Sequence, residues 1–372
     1  MKPHDVLIIN SYAGSLTLGA TAVGLPIRAS YEDAGFGLGV QMTNFPDLEY
    51  RPTYADWPDT QDLQRTVVLA HPPCSAFSNQ TPRSGNRKGT GSDAFACTKQ
   101  VLRYAMGNDA AAIAVESVPA ALAGAAQVHE SYARRYGYHL YRVLQNAVSF
   151  GVPQWRPRFW AVFVREGVAP AAMLWTLPHK GAVTVRDVLD EVPAEPVLPD
   201  TQRRFDLQRQ RLIDELDLTP KAVDTLLREE TGQLHNILTR RFFPDLDPMD
   251  VKRQHCGNGF VVKVLRLLDP DGFATTLLAD SYWAYQGRPV SLPGYCALMG
   301  FPPDYVFPDR ERTHARMYLS KGVCPPVATW VLDTIVKHLS GANPLRGQGY
   351  TQPGQTADFN LKRKDYMNRE AA

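Results

Sequence analysis

Cys74 stands in the run HPPCSAFSNQ, residues 71–80, directly after the apolar stretch TVVLA at 66–70. Prolines at 72 and 73 remove two backbone donors and fix φ, so neither strand nor helix continues through them. The thiol is read onto a stiff turn at the carboxyl end of a buried strand, the edge at which open α/β sheets bind ligands. A lone cysteine is more often a small buried hydrophobe than a nucleophile, but this local sequence argues for chemistry. A second apolar run, AAIAV, leads into Glu116, and FGVPQWRPRFW presents Gln154, Arg156 and Arg158 just before another strand-like run. A thiol near cations ionises more readily and becomes a candidate nucleophile. A carboxyl group held nearby can act on protons or on developing charge. Singly these signals are weak, since a strand-end Glu is usually solvated and an Arg-x-Arg pair usually faces water.

The elements that must position these residues are legible as short apolar runs, DVLIIN (5–10), TVVLA, AAIAVES (111–117) and FWAVFV (159–164), separated by helix-like stretches such as CTKQVLRYAM and AQVHESYARRYG. Strands alternating with helices predict an α/β fold built on a parallel sheet. After about residue 165 the character changes: 166–286 is rich in Pro, Arg and Asp, with a charged helix expected around 200–230 and strand-like pieces GFVVKVLRLL and GFATTLL. It reads as a second domain or a large insertion. The tail from 341 is polar and rich in Gly, Pro and Gln, and is expected to be an arm or disordered.

Composition bounds the rest. The chain has 372 residues, 44% of them hydrophobic, enough for a large core divided over two domains. No apolar run approaches the roughly 20 residues that span a bilayer, and the amino terminus lacks a signal-peptide pattern; no membrane partner is expected, and the cytosol is the default. Five cysteines occur singly, without a CxxC pair, which argues against a disulfide framework or a zinc site; no metal is expected. A net charge of +2 does not discriminate, because a nucleic-acid enzyme can confine its basic residues to one cleft.

Taken together and in order, PPCSAFS, ESV and GVPQWRPR resemble the Pro-Cys, Glu-Asn-Val and Gln-x-Arg-x-Arg motifs of the DNA cytosine-C5 methyltransferase family. NSYAGS is similar to its Phe-x-Gly cofactor loop, RPVSLPGYCALMGFP to its late Met-Gly-Phe-Pro motif, and SKGVCPPVA to its closing Gly-Asn-x-Val-x-Pro-Pro motif, so that the resemblance spans about residues 5–338. It implies a Rossmann-like S-adenosylmethionine-dependent methyltransferase fold with a smaller target-recognition domain. The expected division is 1–165 plus 312–340 for the catalytic domain, 166–311 for recognition and 341–372 for the tail. The implied reaction is methyl transfer to C5 of a flipped cytosine in double-stranded DNA, through a covalent adduct on Cys74. Cytosine C5 is a poor nucleophile until a thiolate adds to C6; Glu116 would hydrogen-bond N3 and the exocyclic amine, Arg158 would contact O2, and Arg156 would share the cationic field. A base within a duplex is out of reach, so it must be flipped out at a cost of a few kcal/mol. For the cofactor, the resemblance implies Tyr12, Ala13 and Gly14 against the donor, Glu32 on the ribose hydroxyls, Asp56 at the adenine, and Pro72, Ser320, Lys321 and Val323 completing the site. DNA contacts are expected from Ser78, Arg83, Arg87 and Lys88 on a Gly-rich loop, from Gln154, and from Arg240 and Arg241 in the second domain. The implied setting is the cytoplasm of a bacterial or phage-infected cell, with a monomeric enzyme serving restriction-modification or a phage.

The departures fall near the cofactor and the base. Ser15, Leu16 and Thr17 replace the family's glycines, Ser117 follows the Glu, Ser75 follows the Cys, Pro293 and Gly294 replace an Arg-Glu, and Ser320-Lys321 stands for Gly-Asn. A Lys beside a sulfonium is repulsive unless a negative group intervenes. One reading sends Lys321 to solvent or to an acid such as Glu32. Another makes the donor carboxy-S-adenosylmethionine, with Lys321 pairing with its extra carboxylate and 5-carboxymethylcytosine as product. Two further alternatives are a non-catalytic DNA-binding paralogue, against which the retained Cys74, Glu116 and Arg158 speak, and an RNA cytosine-C5 methyltransferase, against which the 166–286 insertion speaks.

Overall fold

The computed structural model describes residues 2–3, 5–33, 37–53, 57, 62–78, 88–177, 181–255, 265–279, 282–342 and 350–360. Its main sheet has eight strands: β1 (Asp5–Ile9), β2 (Ile27–Glu32), β3 (Tyr50–Pro52), β4 (Thr66–Ala70), β5 (Ala112–Ser117), β6 (Tyr138–Asn146), β7 (Pro157–Arg165) and β8 (Thr356–Phe359). They lie in the order β8-β6-β7-β5-β4-β1-β2-β3. Neighbours from β3 through β5 are parallel, β7 runs antiparallel between β5 and β6, and β8 is parallel to β6. Every residue of β4 is buried, as its unbroken apolar run requires of a strand covered on both faces.

The strand order reverses between β1 and β4, which makes the carboxyl ends of those two strands the switch point at which such sheets bind ligands. The backbone N–H of His71 donates to the Ile9 carbonyl at 2.9 Å, extending that pairing one residue past β4. β1 is followed by helix α1 (Ser15–Val23), begun by Gly14 at φ 85° and ended by Gly24 at φ 76°, both left-handed. Helix α2 (Asp93–Gly107) is capped by the Ser92 hydroxyl, and helix α3 (Pro325–Ser340) opens on two prolines whose missing N–H groups cost nothing in a first turn. Gly19 lets α1 approach α3, since a Cβ there would lie 2.6 Å from the Ala328 Cβ and 2.9 Å from the Thr329 nitrogen.

The chain divides into two compact units, one of Met1–Gly151, Arg156–Ala182 and Gly322–Ala372, the other of Val152–Trp155 and Val183–Lys321. The boundaries therefore differ from those read at 165 and 312. Residues 312–321, Ser320 and Lys321 among them, pack with the second unit because their helix, Ala315–Lys321, packs on helix Leu292–Ala297. The tail also departs from an arm. Thr356–Phe359 adds a strand to β6, Tyr350–Thr351 pairs with Met173–Leu174, and the Phe359 ring meets Trp330 edge-on at 5.8 Å. Backbone pairing needs no apolar sequence, so a polar tail can complete a sheet edge.

The second unit has its own core, in which Phe205, Leu212, Leu227, Leu234, Leu238 and Tyr282 are buried. The charged helix expected around 200–230 is two helices, Pro199–Leu216 and Pro220–Glu229, separated where Pro220 starts the second. Of GFVVKVLRLL, the described part forms the strand Leu265–Leu267, which pairs with Tyr282–Tyr285. No helix among the described residues is long and apolar enough to cross a membrane.

Candidate active site

Pro73, at φ −52° and ψ 115°, turns the chain out of the sheet into a single 3-10 turn, Cys74–Ala76, closed by Phe77 N–H on the Cys74 carbonyl at 3.1 Å. The Cys74 thiol is half-buried on this turn. Its pKa is raised by burial and then by the charge of Glu116, while Arg158 and Arg156 oppose both. The prolines expected to hold the thiol at a strand end do so.

Glu116 lies near the end of β5 and is fully buried. Its Oε1 is 3.0 Å from Arg158 Nε and its Oε2 is 3.0 Å from His71 Nε2. Neither oxygen has a hydrogen-bond partner of ordinary geometry among the described residues, although Arg158 and His71 both lie within ion-pair distance. Burial pushes the Glu116 carboxyl up to about 7, against the pull of Arg158 and Arg156. A buried acid with unfilled acceptors is costly unless something supplies donors. Arg156 is buried as well. Its Nη2 donates to the Gly322 carbonyl at 2.6 Å and its backbone N–H to Asn146 Oδ1 at 2.9 Å, and burial lowers it to about 9. Arg156 thus braces the segment entering α3, and it is Arg158 that reaches the carboxylate.

The loop after β1 carries the residues expected at the cofactor. Tyr12 (φ 56°) and Gly14 adopt left-handed backbone, and Tyr12, Ala13 and Gly14 are all buried. The Tyr12 ring meets His71 edge-on at 4.9 Å. In place of the missing glycines, the Ser11 hydroxyl accepts from the N–H groups of Leu16 and Thr17 at 2.9 and 3.0 Å and so satisfies the first turn of α1. The Thr17 hydroxyl donates to Gln41, whose amide donates to the Tyr12 carbonyl, and the Ser15 hydroxyl accepts from Val323 N–H at 3.2 Å. Side-chain oxygens do here what close backbone approach does in a glycine loop. Glu32 Oε1 accepts from Ser11 N–H at 2.9 Å and from the Ser30 hydroxyl at 2.5 Å. Burial raises its carboxyl to about 7, against those hydrogen bonds and others from Gln41 and the Tyr12 backbone. Beside Glu32, a cavity of about 380 Å³ is lined by Asp33, Leu38, Tyr50, Arg51, Pro52 and Thr53. An acid at the end of β2 facing a cavity of this size fits a ribose diol, so the residues present fit the nucleoside part of S-adenosylmethionine. Pro72 is buried beside His71, and Val323 is tied to Ser15.

One expected DNA contact lies in a core, and others already have partners. Gln154, read as a DNA contact, is fully buried: its amide nitrogen donates to the Leu298 carbonyl at 3.0 Å and its oxygen accepts from Leu277 N–H at 3.1 Å, all within the second unit. A Gln spaced like a base reader is here a core bracket. Arg240 and Arg241 are exposed but both pair with Glu230, at 2.7 and 3.1 Å, and Lys88 donates to the Ser78 carbonyl at 2.8 Å. Phosphate would have to displace these partners. Asp56, Arg83 and Arg87 lie outside the described residues. Lys321 ends its helix, and the carboxylated donor gains no support from the fold or from the relatives below. No cluster of metal-ligating residues occurs among the described residues. The residues missed from sequence are His71, Ser11 and Gln41; the signal available for His71 was a titratable residue placed directly after a buried strand, and Ser11 and Gln41 carried none.

The sheet order, with its antiparallel β7, and the site at the β1–β4 switch point define a Rossmann-like, S-adenosylmethionine-dependent methyltransferase fold. The chain matches the profile of the C-5 cytosine-specific DNA methylase family over residues 8–337 and belongs to that family. It is accordingly a DNA cytosine methyltransferase-like enzyme, and members of the family use S-adenosylmethionine. Among solved structures it is similar to one from E. coli described as a prophage-encoded DNA modification methyltransferase, with 17% identity and TM-score 0.62 over 90% of this chain and 99% of that one. The Entamoeba histolytica methyltransferase EhMeth shows 11% identity and TM-score 0.58 over 92% and 100% of the two chains. A Spodoptera frugiperda DNMT2 variant shows 14% identity and TM-score 0.50 over 89% and 99%. At these identities the likeness is one of fold. No curated protein matches the chain in sequence.

Proposed function

We propose that the chain transfers a methyl group to C5 of a cytosine flipped out of double-stranded DNA, through a covalent bond between Cys74 Sγ and cytosine C6. The observation that carries this reading is Glu116: a fully buried carboxyl group, flanked by Arg158 and His71, whose two oxygens still have acceptor capacity beside a half-buried thiol. Cytosine offers matching donors, the exocyclic amine and a protonated N3. Addition of the Cys74 thiolate to C6 drives electron density to C5 and N3, and Glu116 stabilises the ring by hydrogen-bonding N3 and N4. Arg158, set against Oε1, fixes the carboxyl group and brings positive charge to the O2 side. S-adenosylmethionine supplies an electrophilic carbon on a sulfonium; Glu32 and the Tyr12–Gly14 loop would hold it, with Ser15 and Val323 closing the site. Removal of the C5 proton then lets Cys74 leave.

The proposed setting is the cytoplasm of a bacterial or phage-infected cell, where a monomer modifies DNA for a restriction system or a phage. The prophage origin of one structural relative is in keeping with this. Nucleoside mass spectrometry of duplex DNA incubated with enzyme and S-adenosylmethionine is expected to give 5-methylcytosine, and Cys74→Ser to lose at least about 10³-fold in rate. Duplex carrying 5-fluorocytosine, whose C5 fluorine cannot leave as a proton, is expected to trap the protein covalently. Methylation of tRNA but not duplex DNA would move the substrate to RNA, and specific DNA binding without transfer would make the chain a binding paralogue.

A further inference from the structure

We propose that His71 is a positioning residue for Glu116, holding its carboxyl group opposite Arg158 and keeping in the site the proton that Glu116 gives to the base. The inference rests on the reaction proposed above and assigns a role to a side chain that the reaction as stated does not use. His71 is 3% exposed and its Nε2 lies 3.0 Å from Glu116 Oε2, while Arg158 takes the other oxygen. Two features fix the imidazole. Its backbone is paired to Ile9 across the switch point, and the Tyr12 ring packs edge-on against it. Among the described residues, the charged and titratable groups around the pair are Tyr12 from the loop after β1, Cys74 from the turn after β4, Arg156 and Arg158 from the stretch entering β7, and the buried Cys324 just before α3. Arg158 bears on one oxygen only, so without His71 the carboxyl group could rotate about its last bond and mispresent its remaining lone pairs. A burial-raised carboxyl group at about 7 next to an imidazole also forms a pair that keeps one proton near neutrality.

The step balances within the site. Before addition, one proton is shared between Glu116 Oε2 and His71 Nε2. Formation of the S–C6 bond moves the C5=C6 π pair into the C5–C4–N3 system and makes N3 basic. The shared proton passes to N3, leaving a carboxylate and a neutral imidazole. Once C5 has spent that pair on its new bond to the methyl carbon, C4=N3 re-forms and N3 gives its proton back; the C5 proton then leaves to water, its bond electrons make C5=C6, and the S–C6 electrons depart with the Cys74 sulfur.

The test compares pH profiles of kcat and KM for the full chain with those of His71→Ala and His71→Gln. His71→Ala is expected to lose about 10²-fold in kcat with KM for S-adenosylmethionine unchanged, and to move the alkaline limb to lower pH, because one of the two groups that share the proton is gone and the site gives it up more readily. His71→Gln, whose amide can still hold the carboxyl group, is expected to recover much of the rate at the optimum without restoring the limb. Wild-type limbs in both variants would overturn the proposal, whatever their rates. A second measurement needs no turnover: nitrogen-15 histidine spectra of the full chain, with the His71 signal assigned by its absence in His71→Gln. Its titration is expected to move to lower pH in Glu116→Gln, and an unmoved titration would overturn the pairing. If the wild type transfers nothing to DNA, the reaction reading fails while this titration still decides whether the pair exists.

Discussion

The Cys74 thiol sits among opposing influences. Burial and the Glu116 charge disfavour the thiolate, and Arg158 and Arg156 favour it. The resting thiol is therefore expected to alkylate slowly at neutral pH and faster as pH rises. Replacing Glu116 with Gln removes a raising influence, so the alkylation rate at a fixed pH near 8 should increase; Arg158→Ala removes a lowering one, and the rate should fall. Either change should be a few-fold to tenfold, read by intact mass with iodoacetamide, with Cys74→Ser marking the background from Cys97, which is also half-buried. Equal rates in all three proteins would mean that the charges do not act on the sulfur.

Two pairs of elements make close contacts that can be probed. α1 meets α3 through Gly19, and a Cβ at that position would press on backbone at Thr329 as well as on the Ala328 side chain. Backbone cannot rotate aside, so Gly19→Ala is expected to cost about 1–3 kcal/mol, measured by denaturant unfolding. Ala328→Gly in the same chain should recover only part of this, because the Thr329 contact remains. The second pair is β6 with β8. Truncation after residue 342 removes β8 and the Phe359 contact with Trp330, leaving the β6 edge unpaired. Such a chain is expected to melt several degrees lower and to aggregate more readily on heating, whereas a melting temperature within one degree of the full chain would show that the strand adds nothing.

For the molecule as a whole, buried acids set how stability depends on pH. Glu32 has no cationic partner among the causes acting on it, and burial raises its carboxyl to about 7 from an ordinary 4.5. Between those two values the folded chain holds a proton that the unfolded chain has released. The contribution of Glu32 is thus most favourable below about pH 4.5, declines as pH rises to about 7, and is level above. Glu32→Gln removes the decline. Relative to wild type it is expected to be more stable at pH 8 by on the order of 1–3 kcal/mol, with the difference shrinking towards pH 5, as read from denaturant midpoints at both pH values. A difference independent of pH would mean that lost hydrogen bonds to Ser11 and Ser30, rather than protonation, govern the change. The strands β1, β4, β5 and β7, the placement of Cys74 at a strand end and the membership of Glu116 in β5 were all legible from local sequence. An apolar run bounded by prolines has few alternatives, and the motif order suffices for the family. What sequence could not show is which polar side chains meet. His71 is 45 positions from Glu116 in the numbering and Ser11 is 21 from Glu32, yet parallel pairing of β1, β2, β4 and β5 brings each to the same edge. Gln154 had the spacing of a base reader, and only packing showed both ends of its amide taken by backbone. The tail had the composition of a disordered arm, but a strand edge recruits backbone N–H and C=O groups, which every sequence supplies. Local sequence set the elements and the thiol because propensity and proline act over a few residues; tertiary structure alone decided the polar partners, since hydrogen bonds and desolvation depend on distances that the chain closes only when it folds.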